Sequence, residues 1–338
     1  MKVALFISNG VDKVAGLEKH FIELANGICD KVDLTIIAHH SYHKYMNDKI
    51  KCIDPKISSS RYNLFSYIKL YKILKENNFD VVHSQANKAT YFMAKLKPFF
   101  KNTKFVATLH NKKKKIEYFN EVDHVIGVSN FVCEQIKNNK TTIYNGLDIE
   151  KIQNSKPVDL KNTFHINNNY PTLLSIGRLV KAKGFSYLIE AVKDLNVNIL
   201  IVGDGPLKDE LKEKIEKFNL QDRVMLAGFR DDVFSLIKSS DGVVISSLNE
   251  GFSYVFAEAL ILEKPLISTD VADIKLFIPH QFCSNIADIN QLKSNIENFI
   301  QNQNMDFSNY YQKAKDEFDI NKMFTNTINI YKELYEKN

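Results

Sequence analysis

The chain opens on KVALFIS (2–8), an apolar run closed by Ser-Asn-Gly, which predicts a buried strand ending in a turn. In GLEKHFIELANGI (16–28) the apolar positions 17, 21, 24, 25 and 28 recur at helical spacing. VDLTIIA (32–38) reads as a strand, NLFSYIKLYKILKENN (63–78) as a helix and FDVVHSQ (79–85) as a strand. FVATLHN (105–111), HVIGVS (124–129) and TTIYNG (141–146) repeat the strand signal. A polar stretch rich in Asn and Lys then runs over 148–169 and predicts an inter-domain connection.

The alternation restarts beyond it. PTLLSIG (171–177), NILIVGDG (198–205), RVMLAGF (223–229), GVVISS (242–247) and PLISTDV (265–271) read as strands. FSYLIEAVKDL (185–195) and LKDELKEKIEKF (207–218) read as helices between them. Short apolar strands alternating with helices imply parallel sheets covered on both faces. Two such runs predict an α/β protein of two Rossmann-like doubly wound domains facing across a cleft. Ligands of such sheets bind at the carboxyl ends of the strands. Polar residues just after apolar runs are therefore the candidates: Ser8, His83, His110, Ser129, Asn145, Arg178, Gly203 and Glu250 among them. Each of these, taken singly, also fits an ordinary polar loop.

Bulk composition narrows the class. A chain of 338 residues accommodates about two domains. Hydrophobic residues make up 44% and charged residues 25%, as in soluble globular proteins. No window approaches the ~20 apolar residues of a membrane span. The N-terminal MKVALFISNGVDK reads as a first strand, not a signal peptide. Cys29, Cys52, Cys133 and Cys283 show no ligand or CxxC spacing, which fits a reducing cytoplasm without disulfides or zinc. Charge is divided unevenly. Residues 1–150 hold 23 Lys and Arg against 15 Asp and Glu, whereas 151–338 hold 22 against 25. A basic first half suits an anionic membrane, ligand or nucleic acid alike.

Two stretches carry specific chemistry. In SIGRLVKAKGF (175–185) Arg178 follows a strand and Lys183 precedes a helix. A planar fork and a compact ammonium at such a turn can grip a diphosphate. In NEGFSYVFAEAL (249–260) Glu250 precedes a predicted helix and Glu258 lies within its apolar run. A carboxylate there needs hydrogen bonds, which ribose hydroxyls can supply. The alternatives stay open: Glu250 as a charge complementing the helix dipole, Glu258 paired with a cation.

Four stretches in order, AGLEKH (15–20), NGLD (145–148), GRLVKAKGF (177–185) and NEGFSYVFAEAL, together resemble the retaining nucleotide-sugar glycosyltransferases of family 4, which have the GT-B fold. Glu250 and Glu258 match that family's two glutamates separated by seven residues. The resemblance implies that Arg178 and Lys183 hold the donor diphosphate and that Glu250 touches the donor sugar. Gly251, Phe252 and Ser253 would contact sugar and phosphate through their amides, and Glu258 the ribose. Gly16 would lie against the diphosphate, and His110 near the donor sugar. Gly203, Phe229 and Arg230 would flank the base, and Ser129 and Asn145 would belong to the cleft. The chain departs from the family at Ala15, where a second Gly is common, at Ser253, where Pro is usual, and after Asp270, where Gly-rich turns are absent.

The implied reaction transfers a hexose or N-acetylhexosamine from a nucleotide sugar, commonly UDP-linked, to a lipid-linked or lipopolysaccharide glycan. No Asp-x-Asp follows a strand, so the two cations take the place of a metal, and neither metal nor cofactor is expected. Donor binding falls to 161–320 and acceptor binding to 1–160, with 321–338 packing back as a helix on the first domain. Lysines interleaved with aromatics in RYNLFSYIKLYKILK (61–75) and KATYFMAKLKPFFKNTK (88–104) suit an anionic membrane surface at the inner face of the cytoplasmic membrane, or a core stripe with a solvated face. Lys112–Lys115 fits a solvated loop. Rivals are a nucleotide-sugar 2-epimerase of the same fold and a non-catalytic sugar-binding protein. A dehydrogenase lacks its G-x-G-x-x-G after the first strand, and no nucleic-acid module is recognisable.

Overall fold

The computed structural model describes residues 1–11, 14–166, 169–302 and 306–336. Asn167 and Asn168 of the expected connection, and Lys337 and Asn338 of the expected terminal helix, lie outside them. The chain forms two compact units, Met1–Gly146 with Ile320–Asn338, and Leu147–Asp319.

The first unit is a seven-stranded sheet. Its strands are β1 (Lys2–Ile7), β2 (Asp33–Ile37), β3 (Lys51–Ile53), β4 (Val81–Gln85), β5 (Lys104–Leu109), β6 (His124–Gly127) and β7 (Lys140–Thr142). They run in the order β3-β2-β1-β4-β5-β6-β7, and each pairing is parallel. The chain therefore reverses its winding direction between β1 and β4, the point where doubly wound sheets open a ligand crevice. Val3, Leu5 and Ile7 on β1 alternate into a core shared with Phe21, Leu24 and Ile28 of the helix Gly16–Ile28. That helix starts at Ala15, whose amide donates to the Glu18 carboxylate at 3.2 Å. A carboxylate in the first turn satisfies an orphan amide and complements the dipole.

The terminal helix Ile320–Glu336 packs within this first unit. It buries Met323, Phe324, Ile328 and Tyr331 in the same core. Gly27 makes room for it: a Cβ there would fall 2.0 Å from the Phe324 ring.

The second unit is a six-stranded parallel sheet of order β10-β9-β8-β11-β12-β13. Its strands are β8 (Thr172–Ile176), β9 (Asn198–Val202), β10 (Val224–Gly228), β11 (Gly242–Ile245), β12 (Leu266–Thr269) and β13 (Cys283–Ser284). The boundary differs from the one expected at 160. Residues 147–160 belong to the second unit, because Leu147 donates to Phe318 O at 2.8 Å and Val158 to Ser239 Oγ at 2.7 Å. Lys238 adds bonds to Gln153 O and Ser155 O. The stretch 148–169 is not a plain connection either. It holds the short helices Ile149–Gln153 and Leu160–Phe164, capped by the carboxylates of Asp148 and Asp159. Its polar composition hid these caps, since Asp is favoured in loops and at N-caps alike.

Candidate active site

In the second unit the carboxyl ends of three neighbouring strands close on glycines. Gly177 follows β8 and donates to Val202 O at 2.9 Å; Gly203 follows β9 and donates to Gly228 O at 2.8 Å. At Gly203 a side chain is doubly excluded. Its φ is +141°, and a Cβ would lie 2.0 Å from Gly177 O. The sheet edge is thereby stripped of side chains, which lets backbone approach a ligand.

From Gly177 the chain passes the exposed Arg178 and enters the short 3-10 turn Lys181–Lys183. This loop is bound to the segment after β11. Leu248 donates to Ala182 O at 2.7 Å, and Ser246 Oγ to Lys183 O at 3.0 Å. The result places two predicted residues in direct contact: Lys183 Nζ lies 2.5 Å from Glu250 Oε1. Ser247 Oγ donates to the same carboxylate oxygen at 2.9 Å, and Thr269 Oγ1 fixes Ser247 by donating to its carbonyl at 2.6 Å. Ser247 was not among the sequence candidates; its one signal is the polar pair that closes GVVISS.

Glu250 precedes the helix Tyr254–Ile261, as expected, and Glu258 is buried at 6% exposure on it. Ser253 is the N-cap, its hydroxyl accepting from the Phe256 amide. The departure from Pro therefore supplies a cap that Pro could not. Phe252 turns its ring into an aromatic cluster with Tyr254, Phe256 and Phe318. Phe229 stands 74% exposed beyond β10. Arg230 is held by Asp232, with both fork bonds made at 2.8 and 2.7 Å, and its guanidinium lies 5.6 Å from the Phe164 ring. The same pairing lowers the Asp232 carboxyl.

In the first unit, β1, β4 and β5 end around a hollow of about 280 Å³ lined by Ser8, Asn9, Gln85, Lys88, His110 and Lys113. Leu17 also lines it, directly after Gly16 at the start of its helix. His110 Nε2 lies 2.7 Å from Gln85 Oε1, and its ring meets the buried His20 ring edge-on at 4.9 Å. Burial, followed by repulsion from His20 and His83, holds His110 well below the ordinary histidine range. Burial brings His20 down to about 4, with Asn145 opposing, and His83 down to about 3, aided by His20 and His124. All three rings are neutral at pH 7.

Other sequence candidates take different places. His83 lies inside β4, not after it, and is fully buried. Ser129 is buried too, capping the short helix Asn130–Cys133 through a bond from Val132 N at 3.2 Å. Asn145 is 4% exposed beside His20. Lys112, in the four-lysine run, pairs with Glu134 at 2.9 Å and covers the Phe131 ring. Among the described residues one trio, His39, His40 and Asp54, brings potential metal ligands within 4.8 Å of one another. The Nδ1 atom of each histidine already has a partner: His39 Nδ1 bonds Ser41 at 2.8 Å and His40 Nδ1 bonds Asp54 at 3.1 Å.

The comparisons with known proteins fall on both units. Residues 14–151 match the model of Glycosyltransferase Family 4, and residues 159–317 that of Glycosyl transferases group 1. The chain belongs to the family 4 glycosyltransferases. The first matched region contains Gly16, His83, Gln85 and His110, the second Arg178, Lys183, Gly203, Glu250 and Glu258. An uncharacterized glycosyltransferase of Methanocaldococcus jannaschii is 32% identical over 236 residues, which span 60% of this chain and 58% of that protein. The UDP-Gal:alpha-D-GlcNAc-diphosphoundecaprenol alpha-1,3-galactosyltransferase of Escherichia coli is 27% identical over 68% of this chain and 67% of its own length. The crystal structure of Anabaena HepE in complex with UDP superposes with a TM-score of 0.82 at 20% identity, covering 98% of this chain and 100% of that one. That likeness establishes the shared GT-B fold of this family 4 member.

Proposed function

We propose that the protein is a retaining glycosyltransferase that moves a hexose or N-acetylhexosamine from a nucleotide sugar, UDP-linked, to a lipid-linked or lipopolysaccharide-type glycan. The observation that carries this reading is the group Lys183, Glu250 and Ser247, with Arg178 on the same loop, at the carboxyl ends of β8 and β11.

In the reaction the bond from C1 of the sugar to the phosphate oxygen breaks, and its electron pair leaves with the nucleoside diphosphate. A bond from the acceptor oxygen to C1 forms, and the acceptor hydroxyl gives its proton to the departing phosphate oxygen. Negative charge grows on the leaving phosphate, and fixed cations lower that barrier. Arg178 and Lys183 supply them, with no metal required by this scheme. Glu250 is aimed by its bonds to Lys183 and Ser247 and accepts from hydroxyls of the donor sugar. Glu258 accepts from the ribose hydroxyls, Gly203 lets the nucleotide approach, and Phe229 offers its exposed face to the base. Gly16 and His110 keep the diphosphate and sugar contacts that the family resemblance implies for them. Support for UDP comes from the UDP bound to HepE and the UDP-Gal used by the Escherichia coli enzyme; support for a lipid-diphosphate acceptor comes from the latter.

An acceptor of that kind sits in a bilayer. No helix among the described residues is long and apolar enough to cross a membrane. The first unit instead exposes Tyr62, Leu64, Phe65, Ile68 and Phe99, at 44–73%, on and beside the helix Leu64–Asn77. Lysines 69, 72 and 75 on that helix add positive charge. We read this patch as the surface that rests on anionic lipid.

Transfer to a polyprenyl-diphosphate glycan in anionic vesicles tests both parts. The new linkage, read by NMR, keeps the donor's anomeric configuration; an inverted linkage would remove the retaining assignment. Leu64→Glu with Phe65→Glu reduces transfer in vesicles at least ~10-fold while sparing transfer in detergent. Equal loss in both would remove the membrane role.

A further inference from the structure

The central strand β4 reads VVHSQ, and its polar half is fully buried: His83, Ser84 and Gln85 are each 0% exposed. Buried polar groups at this density persist only when their hydrogen bonds are met. Here they form a chain from the terminal helix to the hollow. Tyr331 Oη lies 2.5 Å from His83 Nδ1. His83 Nε2 lies 2.7 Å from Thr108 Oγ1 and 3.2 Å from Gln85 Nε2. Gln85 Oε1 lies 2.7 Å from His110 Nε2.

Donor and acceptor rules thread this chain in one direction. The Gln85 amide presents its N–H₂ to His83, so His83 Nε2 must be the bare, accepting nitrogen. Thr108 then donates its hydroxyl to the same nitrogen. His83 therefore carries its proton on Nδ1 and donates it to Tyr331 Oη. At the other end the amide oxygen of Gln85 can only accept. His110 thus carries its proton on Nε2, which leaves Nδ1 as the accepting nitrogen of its ring.

We infer that Gln85 is the positioning residue of His110, and that the terminal helix holds Gln85 in its working orientation through Tyr331 and His83. The value of this arrangement rests on the proposed role of His110 as a sugar contact: with Nε2–H committed to Gln85, Nδ1 accepts from a sugar hydroxyl. Turning the Gln85 amide over would reverse the protonated nitrogen of His110 and remove that acceptor. A residue near the end of the chain thereby sets the hydrogen-bonding sense of a residue at the site.

The test uses the full chain labelled with ¹⁵N-histidine. Two-bond ¹H–¹⁵N spectra report the tautomer of each ring, and His110→Gln and His83→Gln spectra assign the two of interest. The expected pattern is Nε2–H for His110 and Nδ1–H for His83. Gln85→Met keeps the side chain's length and removes its hydrogen bonds to His83, Thr108 and His110. In it His110 is expected to lose its single tautomer, and kcat for sugar transfer to fall about 10-fold or more with a smaller change in donor KM. Tyr331→Phe removes a single oxygen, and is expected to shift His83 toward Nε2–H and His110 with it. That variant gives the same reading should Gln85→Met fail to fold. An Nδ1–H pattern for His110 in the unaltered chain, or a His110 pattern unmoved by both substitutions, would overturn the inference. The expected tautomers in a protein that turns over no nucleotide sugar would uphold the positioning and remove the transferase reading instead.

Discussion

Lys183 and Glu250 sit where a diphosphate meets a sugar in the proposed reaction, and they are 2.5 Å apart. Their side chains are 24% and 12% exposed, so water screens the pair only in part. Ser247 adds the hydrogen bond that keeps Glu250 aimed. The pairing was half legible: both charges follow strands in the sequence, but nothing in their spacing announced their contact, nor that Arg230 spends its fork on Asp232. Gln85 was less legible still, because a polar residue closing a strand pattern reads as the start of a loop. The buried histidines carry a prediction at this scale. The unfolded chain takes up protons on His20 and His83 near pH 6.5, the folded chain only near 4 and 3. Between these values the unfolded state binds more protons, so stability is full above pH 6.5 and falls as the pH drops below it. At pH 5 the loss is on the order of 2 kcal/mol for each ring. Chemical denaturation at pH 7.5 and 5.0 measures it, and a midpoint unchanged between the two would contradict the neutral, buried assignment.

Elements with a full period were readable from the pattern alone. The helix Gly16–Ile28 falls on the stretch that spacing indicated, and the central strands lie within a residue or two of theirs. β3 and β13 escaped because three and two residues on a sheet edge leave no period to detect. The caps at Asp148 and Asp159 escaped because their surroundings are polar. What the pattern did mark is the glycines that end β8, β9 and β10, and they differ in what they tolerate. Gly203→Ala places a methyl against the Gly177 carbonyl at a φ of +141° and is expected to cost at least ~2 kcal/mol. Gly228, at φ +69°, has nothing within 4 Å of its would-be Cβ. Gly228→Ala should therefore cost only the left-handed penalty, about 1 kcal/mol. Thermal midpoints of the two variants check the order; equal losses would contradict the crowding at the β9 end.

At the scale of the whole molecule, the division into two sheets followed from the repeated alternation, and the boundary between Gly146 and Leu147 did not. Contacts made by Leu147 and Val158 set that boundary, and such contacts have no signature in composition. The terminal segment returns to the first unit because Met323, Phe324 and Tyr331 complete a core that the strands and the helix Gly16–Ile28 leave open. The charge split follows the same lines, with the basic surplus carried by residues 1–150. The family membership and the GT-B fold make the protein a glycosyltransferase, and the central proposal built on the group at Lys183, Glu250 and Ser247 is that it cleaves a nucleotide sugar at its anomeric carbon. Nucleotide release from a panel of UDP- and GDP-sugars tests it most directly, with Glu250→Ala measured alongside. The account predicts slow release from one UDP-sugar, reduced at least ~100-fold in Glu250→Ala. Release and binding absent for every donor would contradict it, and isomerised sugar with no free nucleotide would make the protein an epimerase.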